Sequence, residues 1–171
     1  MNKQLIVYYS RTGKTKQIAQ ELQKLSGCDI EEICELKPRR GLWGYLRSVV
    51  EAKLKIKPMI KQLNNSPLLY DFVVIGTPIW AGQMSSPMRS FLTKYHSEIE
   101  ASSVFCTHGG SDPTNTLKDI SSFLSKPLVS TLVIKSDDVF AISKISKRLK
   151  YFVNSWPHPV SDEEKLVKAQ V

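Results

Sequence analysis

The sequence contains little cysteine and no long apolar run. Its three cysteines, Cys28, Cys34 and Cys106, have neither Cys-x-x-Cys nor zinc-finger spacing. This excludes a disulfide framework and a zinc site, and no metal is expected. No apolar stretch approaches the roughly 20 residues of a membrane-spanning helix. The run from Leu5 to Tyr9 is too short for a secretory signal and is closed by Arg11. We therefore expect a protein of the reducing cytoplasm.

Acidic residues are nearly absent from one segment. Between Lys37 and Lys61 there are eight basic residues and one acid, Glu51, whereas the rest of the chain has 16 basic and 15 acidic residues. The formal net charge of +8 therefore belongs almost entirely to this segment, and its attraction for a partner is local. The commonest meaning of such a charge run is a solvated helix face. A lid over a ligand and a docking patch are the functional alternatives.

The length of the chain favours a single domain. With 171 residues, 42% of them hydrophobic, the sequence is suited to one globular unit with one sizeable core. We place this domain at residues 1–160 and a polar tail at 161–171. The stretch 38–67 is long for a simple connection and is predicted to be a basic helical insertion. Its apolar residues recur at helical spacing beneath a basic face: Leu42, Tyr45, Leu46, Val49 and Val50.

Short apolar runs alternate with amphipathic segments along the chain. Strands are predicted at Leu5–Tyr9, Ile30–Leu36, Phe72–Ile75, Val104–Thr107 and Leu128–Lys135. Helical periodicity is present around Ile18–Leu25, Leu42–Leu54, Met88–Ile99, Leu117–Leu124 and Ile142–Val153. Strands buried on both faces are apolar at nearly every position, and helices alternating with them cover both faces. We predict a three-layer α/β fold with a doubly wound, five-stranded parallel sheet.

Three loops follow the first, third and fourth predicted strands. They are Ser10–Thr15, Gly76–Met84 and Cys106–Asp112. In open parallel sheets, ligands bind at the carboxyl ends of the strands. The first loop opens a helix, whose N-terminal N–H groups and dipole attract phosphate. A plain capped turn is the alternative for these six residues alone. Gly13-Lys14-Thr15 also matches the end of a Walker A loop, but Tyr8 stands where that motif needs its first glycine.

Three motifs at these loops together resemble the FMN-binding proteins of the flavodoxin-like family. They are S-x-T-G-x-T at Ser10–Thr15, T-P-x-W-x-G at Thr77–Gly82 and T-x-G-G at Thr107–Gly110. Any one of them is weak, and the set of three in this order is more specific. The resemblance spans about residues 5–154. It implies the strand order 2-1-3-4-5, with FMN bound noncovalently where the strand order reverses.

The resemblance assigns three groups of residues to the cofactor. The phosphate is assigned to Ser10, Arg11, Thr12, Gly13, Lys14 and Thr15; the isoalloxazine ring to Thr77, Pro78, Ile79, Trp80, Ala81 and Gly82; and its pyrimidine end to Cys106, Thr107, His108, Gly109 and Gly110. His108 is also the candidate catalytic residue, as a donor of a proton or a hydrogen bond to substrate. The structural alternatives are a core tryptophan for Trp80, an inert buried thiol for Cys106 and an idle loop histidine for His108.

The resemblance implies an oxidoreductase that moves electrons or hydride between a donor such as NAD(P)H and a small acceptor such as a quinone. The alternative is a one-electron carrier between protein partners. Carriers usually place an aromatic residue in the third loop, where this chain offers only His108, and an uncovered ring face would admit a substrate. A partner docking on Lys37–Lys61 is expected to be acidic, anionic or membrane-associated. Nucleic-acid binding by this segment is the weaker alternative. The sequence also allows a homodimer.

Overall fold

The structure is a computed structural model that describes residues 3–39 and 41–157. Its strands are β1 (Gln4–Tyr8), β2 (Asp29–Glu32), β3 (Phe72–Trp80), β4 (Gln83–Met84), β5 (Ser102–His108) and β6 (Thr131–Lys135). Its helices are α1 (Lys14–Ser26), α2 (Gly41–Lys53), α3 (Ser86–Tyr95), α4 (Thr114–Ser121) and α5 (Ile142–Asn154). The polar tail predicted at 161–171 lies outside the described residues, as do residues 158–160 of the predicted domain.

Five of the strands form one parallel sheet. Their order is β2-β1-β3-β5-β6, and β4 pairs only with the end of β3, in the antiparallel sense. Counting the parallel strands alone, this order is 2-1-3-4-5, so the predicted doubly wound fold is confirmed. The short strand β4 was not predicted, because two residues carry no readable periodicity.

The core lies on both faces of this sheet. Val73 of β3 belongs to a cluster that includes Phe91 of α3. The next residue, Val74, belongs to a second cluster with Ile18 of α1 and Leu149 of α5. Successive side chains of a strand point to opposite faces. The sequences of β1 and β3 are therefore apolar at nearly every position, which is the pattern that predicted these two strands.

Four of the five predicted strands differ in length from the prediction: β3 and β5 are longer, and β2 and β6 are shorter. β3 continues past Ile75 to Trp80 because residues 76–78 pair with β5 and the last two residues, Ile79 and Trp80, pair with β4 in the antiparallel sense. The residues predicted as the start of a turn are therefore strand, and the turn itself is Ala81-Gly82. β2 ends at Glu32 because the chain then pairs with a different segment: the Leu36 N–H donates to the Met59 carbonyl at 3.2 Å and the Lys61 N–H to the Cys34 carbonyl at 2.7 Å.

Helix α2 confirms the predicted helix in the basic insertion but presents its apolar side differently from the expectation. The apolar residues expected beneath a basic face are largely exposed: Leu42, Tyr45, Leu46 and Val50 face solvent, and Val49 is half-buried. The buried residues of this helix are Gly44, Ser48 and Ala52. None of the helices in the described part of the chain has the length and apolar character needed to span a bilayer.

Candidate functional site

The three candidate loops lie at the same edge of the sheet. β1, β3 and β5 are parallel neighbours, so their carboxyl ends meet there. The first loop runs from Tyr9 to Gly13, the second is the turn between β3 and β4, and the third begins after His108. This edge is where ligands bind in open parallel sheets. The tertiary structure thus brings together motifs whose residues Thr15 and Thr107 are 92 positions apart in the sequence.

Three contacts join these loops through the elements that flank them: Thr15 is on α1, Thr107 is on β5, and Thr116 is on α4, the helix that follows the third loop. The hydroxyl of Thr15 and the hydroxyl of Thr107 are hydrogen-bonded at 2.8 Å, which links the first loop to the third. The Tyr9 and Trp80 rings meet edge to face with their centres 5.6 Å apart. The hydroxyl of Thr116 on α4 donates to the Gly82 carbonyl at 3.3 Å. The three loops therefore form one structural unit.

The first loop makes a tight turn into α1. The Gly13 N–H donates to the Ser10 hydroxyl at 3.1 Å, and the Gly13 carbonyl accepts the first helical bond from Gln17 at 2.9 Å. Gly13 has a φ of +86°, a conformation that glycine adopts without steric cost. Thr12 and Gly13 are exposed and Ser10 is half-buried. The N–H groups of the first turn of α1 therefore point toward an accessible loop.

The remaining predicted phosphate residues are engaged with other parts of the protein. The Thr15 side chain is buried against Thr107. The Lys14 ammonium lies 5.5 Å from the centre of the Phe140 ring and 4.0 Å from a carboxylate oxygen of the exposed Asp137. The guanidinium of Arg11 lies over the Tyr45 ring of α2 at 5.4 Å. This last contact brings the basic insertion to the first loop.

The second loop is a two-residue hairpin rather than an open turn. Ala81 has a φ of +50° and Gly82 a φ of +77°, the pair of left-handed residues typical of a type I′ turn. Thr77 is fully buried, and its hydroxyl bonds the Ser85 hydroxyl at 3.0 Å and accepts the Ser85 N–H at 3.2 Å. Pro78 and Trp80 are half-buried, and Ile79 is buried. Ala81 is the exposed tip.

The third loop begins with buried residues and ends exposed. Cys106 lies in the core, where burial raises the pKa of its thiol to about 12 and keeps it protonated. Thr107 is buried against Thr15, as described above. His108 is half-buried, and its Nδ1 accepts the Gly110 N–H at 3.2 Å, so the neutral ring carries its proton on Nε2. Gly109 and Gly110 are exposed.

Sequence reasoning missed a buried ionic network beside the second loop. The Arg39 guanidinium donates to both carboxylate oxygens of Glu35 at 2.8 Å and to Glu51 at 2.5 Å. It also donates to the Ser86 hydroxyl at 2.8 Å, and the Tyr9 hydroxyl donates to Glu35 at 2.9 Å. One readable signal existed: Glu51 is the single acid of the basic segment. A lone acid among so many bases suggests an ion pair.

The network sets the charge of its members. Burial of Arg39 works against its charge, but hydrogen bonds to Glu35 and Glu51 outweigh burial and raise its pKa. Burial likewise opposes the charge of Glu51, and the bonds from Arg39 and Arg47 still hold its pKa below the usual value. For Tyr9, burial and then the Glu35 carboxylate raise the pKa of the phenol. The network is therefore ionic, and its phenol is neutral.

A cavity of about 360 Å³ lies between the first loop and this network. Arg11 and Ser10 line it from the first loop, Glu35 and Arg39 from the network, and Lys61 from the end of the basic segment. One nitrogen of the Arg39 guanidinium, Nη1, is buried without a hydrogen-bond partner among the described residues. Arg39, which borders the first loop and the Trp80 ring, therefore retains an unused donor.

Comparisons with known proteins agree with this architecture. The family model described as Flavodoxin matches residues 3–156. A flavoprotein of Bacteroides eggerthii is 25% identical, with a TM-score of 0.67 over 84% of this chain and 98% of its own. A flavoprotein of Lactobacillus acidophilus, solved in complex with FMN, is 21% identical, with a TM-score of 0.65 over 86% of this chain and 98% of its own.

A third solved structure, an NADH:FMN oxidoreductase in its apo form, is 14% identical, with a TM-score of 0.56 over 89% of this chain and 87% of its own. At these identities, the Lactobacillus flavoprotein and the NADH:FMN oxidoreductase show only that the fold is shared. No curated protein has significant sequence similarity to the chain. The family model covers nearly all the described residues, including the three loops that meet at the sheet edge. The chain belongs to the flavodoxin family.

Proposed function

We propose that this flavodoxin binds FMN noncovalently and acts as an oxidoreductase between a donor such as NAD(P)H and a small acceptor such as a quinone. The observation that carries the proposal is the joining of the three loops at the sheet edge through Thr15–Thr107, Tyr9–Trp80 and Thr116–Gly82. A flavin needs a phosphate cradle and two loops that border its ring, and this edge offers all three.

The chemistry of the first loop fits a phosphate. Its donors are the N–H groups at the start of α1 and the hydroxyls of Ser10 and Thr12, with Arg11 and Lys14 as nearby cations. No carboxylate belongs to the loop. A Cβ added at Gly13 would meet no described atom within 4 Å, so the loop borders open space. Thr15 would support the phosphate through its backbone, because its hydroxyl is bonded to Thr107.

The second and third loops would border the isoalloxazine ring, which supplies the redox chemistry when bound. The second loop would contact the ring in three ways. Trp80 would offer an aromatic face, and Gly82 would let the backbone approach closely. The other residues would contribute backbone groups: Thr77, Pro78, Ile79 and Ala81. From the third loop, Cys106, Thr107, Gly109 and Gly110 would contribute through the backbone, since the first two side chains are buried. Backbone N–H groups there would stabilise negative charge on the reduced ring.

His108 is the proposed catalytic residue, as a hydrogen-bond donor to substrate. Its Nδ1 is occupied by the Gly110 N–H, which leaves the proton on Nε2. The neutral ring could therefore donate a hydrogen bond from Nε2 to a substrate oxygen or to the ring edge. The similarity in fold to the NADH:FMN oxidoreductase supports an enzymatic role. The third loop also contributes no aromatic side chain to cover a ring face, which leaves room for an acceptor.

The test is spectroscopic and then kinetic. FMN added to the purified protein should bind with a shifted visible spectrum, and Thr12→Val should weaken binding about tenfold by removing one donor. The matched control, Thr131→Val on the exposed edge strand β6, should leave FMN binding unchanged. Steady-state oxidation of NAD(P)H with quinones would support the enzyme. Reduction in two separate one-electron steps, without such turnover, would support the carrier instead.

A further inference from the structure

Helix α2 turns its apolar side to solvent. Leu42, Leu46 and Val50 follow at four-residue spacing, and the Leu54 N–H continues the helical bonding to the Val50 carbonyl at 2.9 Å. Leu42 is 73% exposed, Leu54 67% and Trp43 83%. Side chains of this type are buried in most helices of soluble domains. We call these five residues, with the exposed lysines Lys53, Lys55 and Lys57, the α2 surface.

This orientation is fixed by packing. The opposite side of the helix is formed by small residues, and Gly44, Ser48 and Ala52 are its buried positions. A Cβ on Gly44 would lie 2.6 Å from the carbonyl carbon of Arg39, so the helix packs against the segment that precedes it as closely as a glycine allows. Glu51 is held by Arg39 and Arg47. Rotating the apolar side inward would break these contacts.

The charged side chains that belong to the α2 surface are all basic. The three lysines are exposed: Lys53, Lys55 and Lys57. The single acid of the segment, Glu51, is hydrogen-bonded to Arg39 and Arg47. Lys55 lies 3.8 Å from Asp119, a pair in which the lysine is largely exposed. The apolar character continues beyond the helix to Met59, which is 75% exposed. Exposed apolar side chains among lysines are typical of helices that lie in a membrane interface.

We propose that the α2 surface docks this protein on an anionic lipid membrane. The occupant is identified by charge complementarity: lysines attract acidic headgroups while Leu42, Trp43, Leu46, Val50 and Leu54 enter the boundary with the acyl chains. A twofold pairing with a second copy would place lysines against lysines. A protein partner would need a groove shaped to a convex helix, whereas lipid adapts to its shape.

Docking would bring the three loops close to the membrane. Arg11 of the first loop lies against Tyr45, which is on α2 itself. An acceptor dissolved in the lipid, such as a quinone, would then be within reach of the flavin. That consequence rests on the proposed function, whereas the docking rests only on the α2 surface. Membrane binding and flavin chemistry are measured separately, so each can fail without the other.

The test is co-sedimentation of the full-length protein with vesicles. The protein should bind vesicles of equal phosphatidylcholine and phosphatidylglycerol, fail to bind pure phosphatidylcholine, and dissociate at about 1 M salt, where the screening length is short. The double variant Trp43→Ser, Val50→Ser should weaken binding about tenfold by loss of apolar burial. Lys53→Gln, Lys57→Gln should weaken it by a similar factor.

The controls are matched in exposure and chemistry. Leu68 and Leu69 are 71% and 66% exposed in a different part of the fold, and Leu68→Ser, Leu69→Ser should leave vesicle binding unchanged. Absence of binding to anionic vesicles would overturn the proposal, as would equal losses in the two serine pairs. A dimer in sedimentation equilibrium that Trp43→Ser, Val50→Ser dissociates, without vesicle binding, would instead assign the surface to a second copy.

Discussion

The guanidinium carbon of Arg39 lies 5.1 Å from the centre of the Trp80 ring. Arg39 is held between the carboxylates of Glu35 and Glu51, so the segment after β2, helix α2 and the second loop meet at one buried cation. Trp80 also contacts Tyr9 of the first loop. The basic insertion is therefore built into the wall of the candidate flavin site.

Removing the charge of Arg39 should strongly destabilise the protein. Arg39→Met would leave the buried carboxylate of Glu35 with only the longer contact to Arg47, at 3.6 Å, and breaking one side of a buried ion pair costs about 3–5 kcal/mol. The free energy of unfolding in urea measures this cost. Lys126→Met is the control, because Lys126 pairs with Glu100 on the exposed surface and should cost less than about 1 kcal/mol. Equal losses would contradict the importance of the network.

The contribution of Glu51 should depend on pH. Its pKa is lowered on folding by Arg39 and Arg47 against the opposing effect of burial. A carboxyl with a lowered pKa stabilises the fold above its unfolded pKa, about 4.3, and this contribution is lost as the pH falls through the folded value. The stability difference between wild type and Glu51→Gln should therefore be full at pH 7 and shrink in acid.

The control for this pH dependence is an exposed carboxyl. Glu100 also has a lowered pKa, caused by Lys126, but it is exposed. Glu100→Gln should therefore produce a much smaller difference at pH 7. Unfolding in urea at several pH values measures both variants. A Glu51→Gln difference that grows as the pH falls would refute this assignment.

The hairpin tip should become more stable with a residue suited to it. Ala81 occupies the left-handed region with a φ of +50°, which costs an L-residue about 1–2 kcal/mol. Asparagine tolerates this conformation and is typical of type I′ turns. We expect Ala81→Asn to stabilise the protein without ligand by about 0.5–1 kcal/mol. Gly82→Ala, at a φ of +77°, should change thermal stability in the opposite direction.

The Thr15–Thr107 bond should behave as a coupled pair. Thr15→Val would leave the buried Thr107 hydroxyl unpaired and cost about 1–3 kcal/mol. The double variant Thr15→Val, Thr107→Val removes both polar groups and should cost less than the sum of the single changes. Urea unfolding of the four proteins gives the coupling energy. Strict additivity would show that the two hydroxyls do not stabilise each other.

His108 should affect turnover more than cofactor binding. His108→Asn keeps a side-chain acceptor near the Gly110 N–H but removes the Nε2 proton. The kcat for NAD(P)H oxidation should fall about 100-fold, while the visible spectrum of bound FMN stays unchanged. His96→Asn, on the short turn after α3, is the control and should retain full turnover. An undiminished kcat in His108→Asn would remove this residue from the proposed mechanism.

Much of the fold was readable because it depends on local pattern. Phe72 to Ile75 is apolar throughout because its side chains are buried on both faces, and the periodicity of Ile18 and Leu22 follows from one buried helix side. The hairpin at Ala81 was missed, since it depends on pairing with β4, and so was the early end of β2, since residues 59–61 compete for its backbone. Such pairings depend on contacts that the periodicity of a short stretch of sequence does not reveal.

The sequence by itself determined that three loops would meet at one edge, because parallel strands place their carboxyl ends together wherever they occur in the chain. Only the tertiary structure decided what the side chains of those loops do. The Thr15 and Thr107 hydroxyls form a hydrogen bond, and Lys14 lies beside Phe140. Arg39 binds two carboxylates and a hydroxyl in a network that no sequence motif predicts. The tertiary structure also decided which side of α2 faces solvent. Close packing buries the small residues of this helix, whereas periodicity alone predicts that its apolar side is buried.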